Sequence, residues 1–151
     1  MEKNWTALQE QFAAAFQGFI DTCTQLDPAL REQKTLDGQW SPKDVVAHMI
    51  GWEREATERF WHFLAGPTEN LTYNNDAFNS QSVASRQHLT WDQALSELKA
   101  ARQSFQKPIA AITADDLTRE SRFFEWLESI TKHYSDHIAH LKQTIELGEL
   151  L

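Results

Sequence analysis

Apolar side chains recur at three- and four-residue intervals through four stretches of this chain, and little that breaks a helix interrupts them. Only five Gly and four Pro are spread over 151 residues, against six Trp and nine Phe. Few breakers and many large rings predict long helices around an aromatic interior. A first helix is expected over residues 4–26, with Trp5, Leu8, Phe12, Phe16, Phe19, Ile20 and Cys23 on one face. Residues 27–40, which contain Pro28 and Gly38, read as a loop or a short helical turn.

The second helix has the clearest start. Ser41-Pro42-Lys43-Asp44 places a capping hydroxyl, a proline at the first helical position and a carboxylate two residues later. It is expected to run to Ala65 and stop at Gly66-Pro67. The stretch 67–79 reads as a surface connection, followed by a short helix over 76–88. Thr90-Trp91-Asp92-Gln93 is a second capping box and opens a helix over 91–112, with Leu95, Leu98, Ala101, Phe105 and Ile109 on one face and Pro108 near its end. Residues 113–121 read as a connector, and 123–147 as the last long helix, closed by Gly148. No stretch alternates as a half-buried strand does. The expectation is all-α: one domain over residues 1–151, a four-helix bundle. The long crossover between the second and third long helices favours up-down-down-up order.

Charge removes several functions. Fourteen Lys and Arg against 22 Asp and Glu give a formal net charge of −8 with no basic cluster, which disfavours nucleic acid and anionic membrane surfaces. Cys23 is the one cysteine, so no internal disulfide forms. The first residues lack the apolar core of a signal peptide, and no apolar run approaches the length of a membrane span. A cytoplasmic protein is expected.

The histidines carry the chemistry. His133 and His137 are four residues apart on the last helix and so share a face. They fall on the series Trp126, Ile130, His133, His137, Leu141, Thr144, which ought to face the core. His48 falls on the series Val45, His48, Trp52, Ala56 of the second helix. If those helices are antiparallel, rise per residue brings the three rings near one level. Three imidazoles with an open fourth position is the pattern of a catalytic metal centre. The alternative is three core histidines bonded to Ser, Tyr or Glu. The stretch His133-Tyr134-Ser135-Asp136-His137 also imitates an inverted zinc-peptidase motif with Asp for Glu, but no further acidic ligand accompanies it. His62, His88 and His140 read as surface residues, and Cys23 as a packed thiol. Glu53 and Glu55 flank the pocket helix. Glu55, seven residues after His48, is a candidate base or fourth ligand, with a solvated charge as the alternative. Trp52 and Trp61 either line a pocket or pack.

The segment Trp40-Ser41-Pro42-Lys43-Asp44-Val45-Val46-Ala47-His48-Met49-Ile50-Gly51-Trp52-Glu53 resembles the second-helix signature of the DinB-like superfamily. His133-Tyr134 followed by His137 resembles the HxxxH element of its last helix, and Asn74-Asn75-Asp76-Ala77-Phe78-Asn79 resembles the ClbS/DfsB branch. The resemblance runs along essentially the whole chain. It implies an up-down-down-up bundle and, in many members, a divalent metal (Zn, Ni, Fe or Mn) held by residues matching His48, His133 and His137. It also implies thiol-dependent transfer or hydrolysis acting on small reactive molecules, although some ClbS-like members work without metal. Two functions follow as expectations. One is a metal-dependent hydrolase or thiol transferase in detoxification, its catalytic residues unassigned. The other is a metal-free bundle that sequesters a small molecule or self-associates as a homodimer.

Overall fold

The computed structural model describes residues 4–34 and 40–149, so the part of the first loop around Gly38 lies outside the described residues. Within them the chain forms six α-helices and one 3-10 turn and no strand. These are α1 (Trp5–Thr24), the 3-10 turn Pro28–Leu30, α2 (Pro42–Ala65), α3 (Asn75–Ala84), α4 (Trp91–Ala111), α5 (Ala114–Arg119) and α6 (Arg122–Glu149). The four long helices are the expected ones. The chain divides into two compact units, one holding residues up to Val45 together with Leu127 onward, the other Val46–Trp126.

In the first unit, Asn4 caps α1 by accepting from the Ala7 backbone N–H at 3.0 Å. The start of α2 is the reciprocal box expected there. The Ser41 hydroxyl accepts from the Asp44 N–H at 3.1 Å, and the Asp44 carboxylate accepts from the Ser41 N–H at 2.9 Å. Lys43 is 8% exposed and reaches out to Glu32 at 2.8 Å. The interior is built from Phe12, Phe19, Cys23, Leu127, Ile130, Tyr134 and Leu141. Tyr134 sits among Phe12, Phe16 and Phe19, with ring centroids 6.0, 5.6 and 5.3 Å away. Burial pushes the Cys23 thiol up to about 12, which leaves it a packed, unreactive sulfur.

The inward face of α6 differs in phase from the expected one. Its buried residues are Phe123, Leu127, Ile130, Tyr134, Leu141 and Thr144, so Tyr134 and not His133 lies on the core line. His133 and His137 flank that line and are half-buried. Steps of 3.6 residues drift across a helix face, and the series through Trp126 and His133 follows one edge of the true stripe.

In the second unit, Phe60, Phe63, Phe105 and Phe123 form a cluster with centroids 4.8 to 6.2 Å apart, and Leu98, Ala101 and Ile109 of α4 are buried as well. The Thr90 and Gln93 box caps α4 as expected. Helix α2 ends at Gly66, whose φ of +143° a side chain would resist, followed by Pro67. The loop after it is tied down by arginines. Arg122 donates to the Thr68 carbonyl and the Asn70 side chain, and Arg59 donates to the Glu69 carbonyl. Both guanidiniums lie over the Phe63 ring, Arg122 at 4.5 Å and Arg59 at 5.1 Å.

Two expectations need correcting here. The helix expected over 76–88 stops at Ala84. The Ser82 carbonyl is taken by the Ser85 hydroxyl and by Arg86 Nη1 while the backbone tightens into successive three-residue turns, so the α pattern is not propagated. The expected connector 113–121 contains α5, opened by a capping box in which Thr113 and Asp116 exchange bonds.

Candidate functional site

Helix α2 buries every residue from Ser41 to Glu53, whereas later turns alternate between buried and exposed. His48 is therefore enclosed, at 3% exposure, and such a ring needs a polar partner. Asn79 of α3 supplies it: His48 Nδ1 lies 2.9 Å from Asn79 Oδ1. Trp52, one turn along α2, donates its indole N–H to the same oxygen at 2.8 Å. Asn74 caps α3 through the Ala77 N–H, which fixes the start of the helix that presents Asn79.

Trp52 is also the centre of an aromatic cluster. Its ring is 4.1 Å from Phe78, 5.5 Å from Tyr73 and 6.3 Å from Trp126, centroid to centroid. The Tyr73 hydroxyl donates to Glu55 Oε1 at 2.6 Å. Burial first, then the Glu55 carboxylate, raises the Tyr73 pKa, so Tyr73 remains a protonated donor at neutral pH. Glu55, a candidate base or fourth ligand or a solvated charge in the sequence, is half-buried and accepts this bond from the loop. Glu53 is 0% exposed, a buried carboxylate rather than a surface one. Trp61 stands 46% exposed and Trp52 8%, so only Trp52 belongs to the cluster.

On α6 the His133 and His137 rings are 6.1 Å apart and tilted by 41°, and His140 continues the row 5.6 Å beyond His137. Burial lowers the His133 pKa. Burial, then the neighbouring His133 and His140, holds His137 down to about 4. Both rings are neutral at pH 7, the form that ligates metal. His62, His88 and His140 are exposed, as expected. A cavity of about 410 Å³ lies elsewhere, between the 3-10 turn and the end of α6, lined by Gln25, Asp27, Leu30, Ile145 and Gly148 and by none of the histidines.

The His137 shift predicts a pH dependence of metal-free protein. An unfolded histidine takes up its proton near pH 6.5, and folded His137 resists until about 4. Stability is thus full above 6.5 and declines as pH falls from 6.5 towards 4. Thermal melts in chelator should show Tm decreasing across that window, with His137→Gln shallower. Equal slopes for the two proteins would contradict it.

His48 belongs to the second unit, and His133 and His137 to the first. Among the described residues no group of three or more His, Cys, Asp or Glu side chains is gathered closely enough to hold a metal ion. Within the first unit, His133 and His137 are two neutral imidazoles a helical turn apart; within the second, His48 is anchored through Nδ1.

The description "DinB superfamily" matches residues 3–141. The chain belongs to the DinB superfamily. This DinB chain also matches the crystal structure of an uncharacterised protein from Escherichia coli UTI89, with a TM-score of 0.80 and 14% identity over 99% of this chain and 96% of that one. At that identity the likeness concerns fold alone. No curated protein matches the chain. Among the described residues, no helix is long and apolar enough to cross a membrane.

Proposed function

We propose that this DinB-superfamily protein is a metal-dependent enzyme, a hydrolase or thiol-dependent transferase that acts on a small reactive molecule. The observation that carries the reading is the His133 and His137 pair, half-buried, on one face of α6 and held in the neutral, ligating form. His48 is the third proposed ligand, and the proposed arrangement is the family's single up-down-down-up bundle, in a member of its ClbS-like branch. A divalent ion at such a centre supplies Lewis acidity toward an electrophile or acidifies a bound thiol or water. The protein's own groups would do the rest. The Trp52, Tyr73, Phe78 and Trp126 rings offer an apolar wall, and the Tyr73 oxygen, its hydrogen given to Glu55, offers an acceptor at its edge.

The test is metal content. Protein prepared without a polyhistidine tag and incubated with Zn, Ni or Mn should retain about one ion per chain. His48→Ala and His137→Ala should each weaken retention by at least about a hundredfold, since a ligand of a three-imidazole site is lost. Wild-type protein that takes up none of the three metals would sink the reading.

A further inference from the structure

The bond between His48 and Asn79 fixes more than a ring position. An indole N–H can only donate, so the Asn79 atom 2.8 Å from Trp52 Nε1 is the carbonyl oxygen and not the amide nitrogen. The same oxygen lies 2.9 Å from His48 Nδ1. A carbonyl oxygen only accepts, so Nδ1 is the ring nitrogen that carries hydrogen. In the neutral imidazole the lone pair then sits on Nε2. Trp52 thus pins the amide, the amide selects the tautomer, and the tautomer selects the ligating nitrogen.

We propose that Asn79 is a positioning residue for His48, locking it as the Nδ1–H tautomer so that Nε2 is its one nitrogen able to ligate a divalent cation. The cation part rests on the metal reading above; the tautomer does not. Asn79 reaches this place because α3 lies against α2 at Gly51, where a Cβ would fall against Ser82. Three residues on two helices make the device: His48 and Trp52 a turn apart on α2, and one acceptor on α3 that serves both. It differs from a merely structural buried amide in having a measurable chemical consequence at a nitrogen it does not touch.

Long-range proton–nitrogen correlation spectra of the metal-free, nitrogen-15-labelled full chain read the tautomer directly. Wild-type His48 should show a protonated Nδ1 and an unprotonated Nε2. Asn79→Ala should shift the ring toward the Nε2–H form that free histidine favours, while Asn79→Asp, which keeps an acceptor, should preserve the wild-type pattern. Trp52→Phe removes the pin without touching Asn79, so it should blur the pattern, and it serves if Asn79→Ala does not fold. Zinc titration should show Asn79→Ala binding about 10- to 100-fold more weakly than wild type. A wild-type His48 protonated on Nε2 overturns the proposal, as does an Asn79→Ala variant with an unchanged tautomer or with wild-type zinc affinity. If wild-type protein binds no zinc yet shows the Nδ1–H form and loses it in Asn79→Ala, the lock stands and the metal reading is what fails.

Discussion

Replacing Tyr134 by Ala should cost the protein about 3–5 kcal/mol, the largest loss expected from any single side chain discussed above. Tyr134 is 0% exposed, and no larger side chain is so fully enclosed. Three Phe rings of α1 surround it at centroid distances of 5.3 to 6.0 Å, two of them edge-on. Such pairs contribute about 0.5–1.5 kcal/mol each beyond the area they bury. Removing the ring therefore opens a cavity and strips Phe12, Phe16 and Phe19 of a shared partner. In a chain of this length each kcal/mol corresponds to roughly 2–4 °C, so Tm should fall by about 10 °C or more. Phe16→Ala is the control: Phe16 is only half-buried, and its truncation should cost less than half as much. Chemical denaturation of both variants reads the difference. Equal losses would mean that α1 and α6 are not held together around Tyr134.

That residue also marks the limit of what periodicity can reveal. Both series on α6, the one through His133 and the one through Tyr134, obey three- and four-residue steps, and they differ by rotation of the helix. Ile130, Leu141 and Thr144 fit either. Burial separates them, because Tyr134 is enclosed and His133 half-exposed, and burial depends on helices far away in sequence. Local chemistry was easier to read. The caps at Ser41 and Thr90 and the stop at Gly66-Pro67 are written in three or four adjacent residues, and all are present. The Thr113 to Asp116 box used the same grammar, but it opens a helix of only six residues, too short for apolar periodicity to mark α5. Of the candidate site, the sequence names His48, His133 and His137 through spacing and family resemblance. It could not pair His48 with Asn79, 31 residues on, or Glu55 with Tyr73, 18 residues on. Asn79 closes the motif Asn74–Asn79 that carries the ClbS-like resemblance, so it was in view, but its chemical role is visible only across the contact between α2 and α3.

Gly51→Ala should separate that contact and disable the histidine it serves. A Cβ on Gly51 would collide with the Ser82 hydroxyl and lie 2.8 Å from the Ser82 Cβ. The second atom belongs to the stem of its side chain, so no rotamer change relieves the clash and α3 itself has to move. Overpacking of this kind costs about 1–3 kcal/mol. Ala is a better helix former than Gly by about 1 kcal/mol, so the net loss of stability should be modest. The effect on the His48 tautomer should be larger than the loss of stability. Asn79 rides on α3 and must keep a 2.9 Å bond to His48 and a 2.8 Å bond to Trp52, and neither survives a shift of an ångström. Gly51→Ala is therefore expected to resemble Asn79→Ala in its His48 tautomer and zinc affinity while unfolding only slightly more easily than wild type. Ser82→Gly removes both atoms the new methyl would strike. The double variant Gly51→Ala, Ser82→Gly should restore the Nδ1–H form, and its stability should exceed the sum of the single changes by about 1–3 kcal/mol. Strict additivity, with the tautomer unrestored, would show that the fit of α3 against Gly51 is not what holds Asn79 in place.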